Sequence, residues 1–507
     1  MEKRTILAIA LSLLILITWS MLTTPSHLAV NKGVTDTTTP LLVVPEARVS
    51  SEDKEAAEEI PPPSLIKFDQ ETLEITFIEP KAAIQEVVFK AHQNHTLPLK
   101  YGFLIDDKSL RFKKQSSSPK EIVFVHSDQA QKITKKFIFL NSIYDMQLEI
   151  NVQNLSASPL KFSPQVALGE LDFSTRNKQV QFQEVVVATK DKTQHYNGRK
   201  SLDVPDVKFL SLREKYFCAI IEPANEKSLG FVRKKSGEES EVGLKIPEII
   251  IAPGQSAIEK FHIYLGPQDL HIINKIQPSW SGVIYYGTFD IISQILLQLL
   301  EFFYSMAHNW GWAIVILSLL VYFALYPLSI KQMRSMKEMQ ALQPKIEGLR
   351  KTYKDNPQKL NKEIMALYKE HKVNPFGGCL PLLLQMPIFF ALYQALMRSV
   401  ALKGATFLWI KDLSEPDRLF LLPNSLPMLG NEINILPIVM AIGMFVQQKL
   451  SSASASGTAA DQQKMMLFIM PIMFGVIFYH MPSGLVLYWF INSALMLIFQ
   501  VRLSRVK

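Results

Sequence analysis

The 507-residue sequence predicts a polytopic α-helical membrane protein with six transmembrane helices, five of them forming a core, and an antiparallel β-sandwich domain outside the membrane. Hydrophobic residues make up 48% of the chain although 20% of residues are charged, which indicates that apolar and polar stretches occupy separate regions. Apolar runs of bilayer length occur at the N-terminus and repeatedly after residue 309. Between them, apolar and polar residues alternate with the two-residue period of strands that have one buried face.

Residues 1–22 are predicted to form a signal-anchor transmembrane helix. Its mostly apolar stretch from Thr5 to Leu22 is uncharged and follows Lys3 and Arg4. A cleavable signal peptide is the alternative, but the residues after Leu22 offer no small-x-small cleavage site, so we favour a retained helix. Residues 23–64 are rich in Thr, Pro, Ala, Glu and Ser and cannot bury enough apolar surface to fold, so they are predicted to be a disordered linker.

Residues 65–270 are predicted to form the β-sandwich domain. Residues 144–152 alternate between apolar and polar side chains, as do residues 73–77 and 261–265, and Gly, Pro, Asn and Ser separate such runs. His92 and His95 have a spacing that a metal ion could use. Because no Cys or carboxylate clusters beside them in the sequence, we expect an ordinary surface pair and predict no metal site.

An amphipathic helix is predicted over residues 281–308. Asp290, Gln294, Gln298 and Glu301 would form one polar stripe along it, and a helix of this kind lies along the membrane surface.

The remaining residues, 309–507, are predicted to be the membrane core. Its apolar runs cover residues 310–330, 379–397, 433–446, 465–479 and 484–501, approximately. Three of the runs are short, since 14 to 18 helical residues reach about 21 to 27 Å across a hydrocarbon layer of about 30 Å. Local thinning of the bilayer and extension of the spans by flanking residues are both open explanations.

The distribution of basic residues predicts the orientation of the spans. Between Lys331 and Lys372 the chain has 11 Lys and Arg against 5 Asp and Glu, a net charge of +6. Because loops rich in Lys and Arg stay in the cytoplasm, both termini are predicted to be cytoplasmic and residues 23–308 to lie on the opposite side.

The same cytoplasmic segment, residues 331–372, is predicted to be a helical hairpin. Apolar residues recur at heptad spacing on both sides of a turn at residues 354–357. Two interpretations stay open: the hairpin only sets the topology, or it docks RNA-rich or acidic partners such as ribosomes. The candidate docking residues are Lys345, Arg350, Lys351, Lys354, Lys359 and Lys362.

Candidate functional residues lie inside the predicted spans, whereas the chain has no Walker A loop, no His-Glu-x-x-His and no Gly-x-Ser-x-Gly motif, so no catalytic residue is predicted. Polar side chains in a span must face protein or water, so they line a groove if they converge; ordinary hydrogen bonding between helices is the alternative. Methionine, whose side chain suits variable apolar clients, is concentrated after residue 332. The candidate groove and client-contact residues are Ser318, Tyr322, Gln385, Met386, Met473, Tyr488, Trp489 and Asn492.

From about Asn309 onward the chain resembles the YidC membrane protein insertase family, of the Gram-negative type with a large periplasmic domain. The runs that carry the resemblance are Asn309-Trp310-Gly311-Trp312, Tyr326-Pro327-Leu328, Leu342-Gln343-Pro344-Lys345, Val373-Asn374-Pro375, Gln385-Met386-Pro387-Ile388-Phe389 and Pro482-Ser483-Gly484-Leu485.

The resemblance implies an insertase and chaperone without enzymatic activity or cofactor. Such a protein inserts and folds newly made integral membrane proteins in the bacterial inner membrane, alone or with the Sec translocon, through a hydrophilic groove open to cytoplasm and lipid. Client spans would slide along the third and fifth membrane helices. The implied partners are nascent membrane proteins, the Sec translocon, the ribosome, the signal recognition particle receptor and membrane lipids, with no specific nucleic-acid sequence.

One residue departs from the family pattern. The family typically carries an arginine in the middle of the second span, where this chain has Tyr322. Lys331 and Arg334 lie about 14 and 18 Å further along the helix, too far to replace that charge directly.

Two other functions are weighed against the insertase. A solute transporter would need paired charges within the membrane, which the predicted spans lack. A membrane-tethered envelope enzyme would need only one span.

Overall fold

A computed structural model of the chain describes residues 64–505 except 106–109, 141, 174–181, 226, 236–237, 355, 372, 374–379, 427–429 and 452–457. The predicted signal anchor and all but the last residue of the predicted linker lie outside the described residues.

The part of the chain between residues 65 and 267 is built from antiparallel strands, as the alternating sequence predicts. In β8, for example, residues 146, 148, 150 and 152 are buried, while the residues between them are more exposed. The strands are β1 Leu65–Asp69, β2 Leu73–Ile78, β3 Ala83–Phe89, β4 His95–Gly102, β5 Lys113–Ser118, β6 Glu121–Ser127, β7 Gln131–Phe139, β8 Asp145–Asn154, β9 Leu160–Phe162, β10 Gln165–Asp172, β11 Glu184–Ala188, β12 Thr193–Tyr196, β13 Leu202–Val204, β14 Phe209–Arg213, β15 Phe217–Pro223, β16 Leu229–Lys234, β17 Glu239–Lys245, β18 Ile249–Ile251 and β19 Ser256–Pro267.

These strands form sheets that share one apolar core. A nine-stranded sheet runs β12-β11-β14-β15-β19-β8-β7-β6-β5, and two four-stranded sheets run β1-β2-β3-β4 and β10-β17-β16-β13. A two-stranded sheet pairs β18 with β9. Because side chains from all three larger sheets enter the same core, the sheets form one β domain.

A lysine side chain is buried in the core of the β domain. Lys135 is fully buried, and its ammonium group donates hydrogen bonds to the carbonyl oxygens of Ala82 and Phe103. Burial lowers its pKa to about 7. Ala82 and Phe103 both have positive φ angles, of 47° and 59°, so the lysine holds two turns in the left-handed conformation.

A short segment joins the β domain to the membrane core. It contains helix α1 Leu270–Ile276, a 3-10 turn Pro278–Val283 and helix α2 Asp290–Ala307. Trp280 is fully buried in this segment, and its indole nitrogen donates to the Glu222 carboxylate of β15.

The predicted helix over 281–308 is wrong in its first part, because the helix begins only at Asp290. The guanidinium group of Arg213 donates hydrogen bonds to the carbonyl oxygens of Val283 and Tyr285, which would accept backbone hydrogen bonds in a continuous helix. Gly287 also has a φ of 100°, which a right-handed helix excludes.

Helix α2 has one face packed on the core and another exposed. Ser293, Leu296 and Leu300 are buried. The exposed large apolar side chains are Ile291, Ile295, Phe302 and Met306. Their spacings of four, seven and four place them along one side of the helix, and an exposed apolar stripe of this kind is typical of a helix at a membrane surface.

The membrane core consists of helices and one hairpin of strands. The elements are α3 Trp310–Thr352, α4 Pro357–Glu370, α5 Leu380–Arg398, β20 Phe420–Leu426, β21 Gly430–Ile433, α6 Ile435–Ser451, α7 Thr458–Phe478 and α8 Ser483–Arg505. Helix α3 joins the second predicted span and the first arm of the predicted hairpin into one helix of 43 residues, about 65 Å long.

Two described segments are long and apolar enough to cross a bilayer, Trp310–Lys331 in α3 and Ser483–Arg502 in α8. The apolar parts of α6 and α7, Ile435–Lys449 and Leu467–Phe478, are shorter. The count of six spans therefore stays a prediction.

Candidate functional site

Helices α3, α5 and α8 meet in an apolar core that contains a few polar side chains. The buried apolar residues at this meeting include Leu317 of α3, Leu392 of α5 and Leu485 of α8. In such surroundings each polar side chain needs a hydrogen-bond partner, since an unpaired one costs about 1–3 kcal/mol. The hydrogen-bond partner of each predicted groove residue therefore shows whether its side chain links two helices or bonds within its own helix.

Gln385 and Tyr488 form a direct contact between α5 and α8. The side-chain amide of Gln385 donates to the hydroxyl of Tyr488 at 2.5 Å, and Tyr488 is fully buried. Both residues were predicted from the sequence as groove candidates, and the structure brings them together. The pair is one polar bridge in an otherwise apolar helix interface.

Two further candidates bond to their own helix. The hydroxyl of Ser318 donates to the carbonyl oxygen of Ile314 at 2.7 Å, and the amide of Asn492 donates to the carbonyl oxygen of Tyr488 at 2.8 Å. These bonds satisfy the side chains without linking helices.

Tyr322 differs from the other candidates because its hydroxyl makes no hydrogen bond within the described part of the chain. The side chain is 8% exposed, and its ring lies 6.2 Å from the ring of Tyr326. A phenol hydroxyl can both donate and accept. This oxygen is buried, so it meets another polar molecule only if the helices around it move apart.

Trp489 lies in an aromatic cluster rather than beside the polar pair. Its ring centroid is 5.2 Å from that of Phe389, 5.5 Å from Phe474 and 5.3 Å from Phe478. These residues connect α5, α7 and α8, and the half-buried Met386 and Met473 lie on α5 and α7. The third and fifth predicted spans therefore meet through aromatic side chains, with the ring centroids of Phe389 and Phe478 5.5 Å apart.

The cytoplasmic hairpin of the sequence analysis corresponds to the end of α3 and to α4. Leu342 and Ile346 are buried against Ile364, Leu367 and Tyr368. The candidate docking lysines, Lys345, Lys351, Lys354, Lys359 and Lys362, are exposed and Arg350 is half-exposed. The hairpin therefore presents a basic surface around a small apolar core.

The prediction that His95 lies at the surface is wrong. The residue is 7% exposed, and its ring nitrogens contact the Glu214 carboxylate and the Lys403 ammonium. Because Lys403 follows His95 by 308 residues, no local sequence signal could identify the contact. Within the described ranges, no group of three or more His, Cys, Asp and Glu residues could hold a metal ion.

Comparison with known proteins gives matches over almost the whole chain. Residues 66–299 match the YidC periplasmic domain, and residues 302–507 match the family described as 60Kd inner membrane protein. The membrane protein insertase YidC of Pelobacter propionicus is 30% identical over an alignment of 537 residues, gaps included. The alignment covers 98% of this chain and 97% of that protein. The protein of the same name from Syntrophus aciditrophicus is 36% identical over 394 residues, covering 75% of this chain and 69% of its own. A crystal structure of an active YidC insertase with its first transmembrane domain resolved is 19% identical, with a TM-score of 0.41, and covers 86% of this chain and 94% of its own.

Proposed function

Since the chain belongs to the YidC family of membrane protein insertases, we propose that it inserts and helps to fold newly made membrane proteins through a groove among α3, α5 and α8. The observation that carries the groove is the set of polar groups buried at this meeting. Gln385 and Tyr488 pair across two helices, and the Tyr322 hydroxyl stays without a partner among the described residues.

The groove would lower the cost of moving polar client residues. On insertion scales a Leu, Ile, Phe or Val at the centre of a span contributes about 0.3–0.6 kcal/mol, whereas an Asp, Lys or Arg costs about 2.5–3.5 kcal/mol. One charge in hydrocarbon thus offsets roughly six apolar residues. A client span therefore gains most when its polar flank stays among polar side chains while its apolar part enters lipid.

The apolar wall between α5 and α7 would guide the client span. Met386, Met473 and the aromatic cluster around Trp489 supply a surface that can adapt to different apolar side chains. The apolar parts of α6 and α7 have 15 and 12 residues by their bounds, about 23 and 18 Å. We infer that thinning of the bilayer beside them, or extension by flanking residues, accommodates these lengths.

The partners and topology follow from charge and from the family. We infer six spans in the bacterial inner membrane, with both termini cytoplasmic and residues 23–308 on the periplasmic side. The basic hairpin would contact the ribosome and the signal recognition particle receptor, and the membrane helices would contact lipids and the Sec translocon.

Site-specific photocrosslinking tests the proposed client path. A photoreactive residue replaces Gln385 or Met473, and a stalled ribosome-nascent chain carries one membrane span. We expect crosslinks from both sites that disappear when the client's apolar span is made polar. A photoreactive residue at Ile442, an exposed apolar position on α6, is the matched control and should crosslink to lipid rather than to the client. If the embedded, folded protein gives no client crosslinks from either α5 or α7, the proposed path is wrong.

A further inference from the structure

The turn between β14 and β15 buries four consecutive polar side chains. Arg213, Glu214, Lys215 and Tyr216 are 1%, 4%, 8% and 4% exposed. Turns between strands normally lie at the surface, and buried charges are costly unless they are paired. The burial of this turn therefore indicates that another part of the protein packs against it.

Lys215 and Tyr216 contact the loop between α5 and α6, residues 399–434. The ammonium group of Lys215 lies 3.1 Å from Oε1 of Glu415, and the hydroxyl of Tyr216 donates to the hydroxyl of Ser414 at 3.1 Å. Both contacts join the β domain to the membrane core.

Glu214 reaches the same loop through a histidine. Nε2 of His95 is 2.5 Å from Oε1 of Glu214, and Nδ1 of His95 is 2.5 Å from the ammonium group of Lys403. Since the ammonium can only donate, Nδ1 is the acceptor and Nε2 carries the proton given to Glu214. The chain Lys403–His95–Glu214 is a second connection.

Arg213 forms the third connection, with the last residue of α5. Arg213 binds the Glu184 carboxylate, and Nη2 of Arg398 lies 3.4 Å from the other oxygen of that carboxylate. Arg213 and Arg398 also donate to the carbonyl oxygen of Tyr285. Although burial alone would raise the pKa of Glu184, the bond from His195 and the charges of Arg213 and Arg398 lower it to about 2. The carboxylate therefore stays charged between the two arginines.

The α5–α6 loop is itself tied to the beginnings of two helices. The backbone nitrogens of Ser483 and Gly484, at the start of α8, donate to the carbonyl oxygens of Glu415 and Leu413 at 2.8 and 2.9 Å. Asp417 accepts from the nitrogens of Ile435 and Leu436 at 2.9 and 3.0 Å, at the start of α6. A contact with this loop thus fixes several helices together.

We propose that the β14–β15 turn is the element by which the β domain holds the ends of α5 and α8 and so sets Gln385 against Tyr488. Lys215 and Tyr216 act as positioning residues. The expected effect on client insertion rests on the proposed groove. The positioning of Gln385 against Tyr488 does not depend on that groove. Gln385 lies about 20 Å from the held end of α5 and Tyr488 about 8 Å from that of α8, distances over which a helix moves as a rigid body.

The test combines charge reversal with a reporter of helix register, in the full-length protein in membranes with Cys218 and Cys379 replaced by serine. The reporter is the rate of disulfide formation in a Gln385→Cys/Tyr488→Cys variant. We expect Lys215→Glu to lower this rate at least fivefold and Glu415→Lys to do the same. The double exchange, which restores opposite charges, should recover at least half of the rate.

The matched control is Lys260→Glu, which breaks an ion pair of 2.9 Å with Glu149 inside the β domain. It should leave the disulfide rate unchanged. In the background without the two reporter cysteines, Lys215→Glu should also lower client insertion and the double exchange should restore it. A changed disulfide rate without a change in insertion would support the positioning and count against the groove.

Two results would overturn the positioning role. One is a Lys215→Glu protein that folds and forms the disulfide as fast as the Lys260→Glu control. If Lys215→Glu fails to fold, Tyr216→Phe decides, because it removes only the hydroxyl with its bonds to Ser414 and Lys215 and leaves the charges in place. An unchanged disulfide rate in Tyr216→Phe would then refute the proposal, and a rate reduced about twofold or more would support it.

Discussion

Tyr322 combines a buried position with a hydroxyl that has no partner among the described residues. An unpaired buried hydroxyl costs about 1–3 kcal/mol, so Tyr322→Phe should leave the stability of the protein unchanged or raise it. The family resemblance implies an arginine at this position, and a tyrosine can exchange hydrogen bonds with a client but cannot attract a charge over distance. Substitutions at Tyr322 can therefore distinguish the effect of a charge in the proposed groove from the effect of a hydrogen bond.

We expect Tyr322→Arg to favour clients with an acidic translocated segment. One charge pair about 10 Å apart contributes about 1–2 kcal/mol at an effective dielectric constant of 20, so insertion of an acidic client should rise roughly five- to thirtyfold relative to a neutral one. Tyr322→Phe should show no such preference. The measurement is protease protection of the two clients in vesicles, with thermal unfolding of each variant as the control. Equal insertion of both clients by a folded Tyr322→Arg protein would contradict a groove at this position.

The sequence predicted this residue and the pair of Gln385 and Tyr488 because hydroxyl and amide groups within apolar runs are easy to see. It did not predict which of them bond to each other. Ser318 and Asn492 look equally suitable in the sequence, yet they bond within their own helices. That choice depends on how the helices are rotated against each other, and side-chain spacing along one helix does not contain this information.

At the scale of the element, the predicted cytoplasmic hairpin has little apolar contact to hold it. Among its described residues Leu342 and Ile346 are buried, as is Val373 directly after it, and the candidate docking lysines face solvent. Exposed lysines contribute little to folding, so their abundance is explained by topology or by a partner rather than by stability. Helix α3 carries this basic surface about 30 Å beyond the apolar segment that ends at Lys331.

Reversing the charge of the exposed lysines tests whether the hairpin docks ribosomes. The variant Lys351→Glu/Lys354→Glu/Lys359→Glu/Lys362→Glu should lower ribosome co-sedimentation at least tenfold at low salt, since binding to RNA-rich surfaces depends on cationic contacts. The matched control, Lys113→Glu/Lys114→Glu/Lys120→Glu/Lys132→Glu, changes the net charge equally but lies on β5, the β5–β6 turn and β7. Equal binding by the two variants would favour the alternative, in which the hairpin only sets topology.

Elements with a strong internal period were predictable, and elements shaped by distant contacts were not. The alternation in β8 identifies a strand because one of its faces is buried along its whole length. The segment 281–289 was predicted as helix because it is apolar overall and runs into the polar stripe of residues 290–301. Its conformation depends instead on Arg213, about 70 residues earlier, which takes the carbonyl oxygens that a helix would need.

At the scale of the whole molecule, the β domain and the membrane core are joined by contacts between residues 198 to 308 positions apart. The two parts could each be predicted from composition and motifs, because each has its own apolar pattern. Their junction could not, because its residues are scattered charges that resemble surface residues one at a time. The function is predicted by the family resemblance, which compares many motifs in order along the chain. Periodicity reports only the local structure of each segment.

The topology of the chain provides a final prediction. In a background with Cys218 and Cys379 replaced by serine, the Lys351→Cys and Lys113→Cys variants place single thiols on the hairpin and on the β domain, at exposed positions. A membrane-impermeant maleimide added to spheroplasts should label only Lys113→Cys, and inverted vesicles should give the opposite result. The physical reason is the net charge of +6 between Lys331 and Lys372, which opposes transfer of that segment across the membrane. Labelling of both thiols from one side of a sealed membrane would show that the predicted span between them, residues 310–330, does not cross the membrane, and would contradict the proposed path for clients.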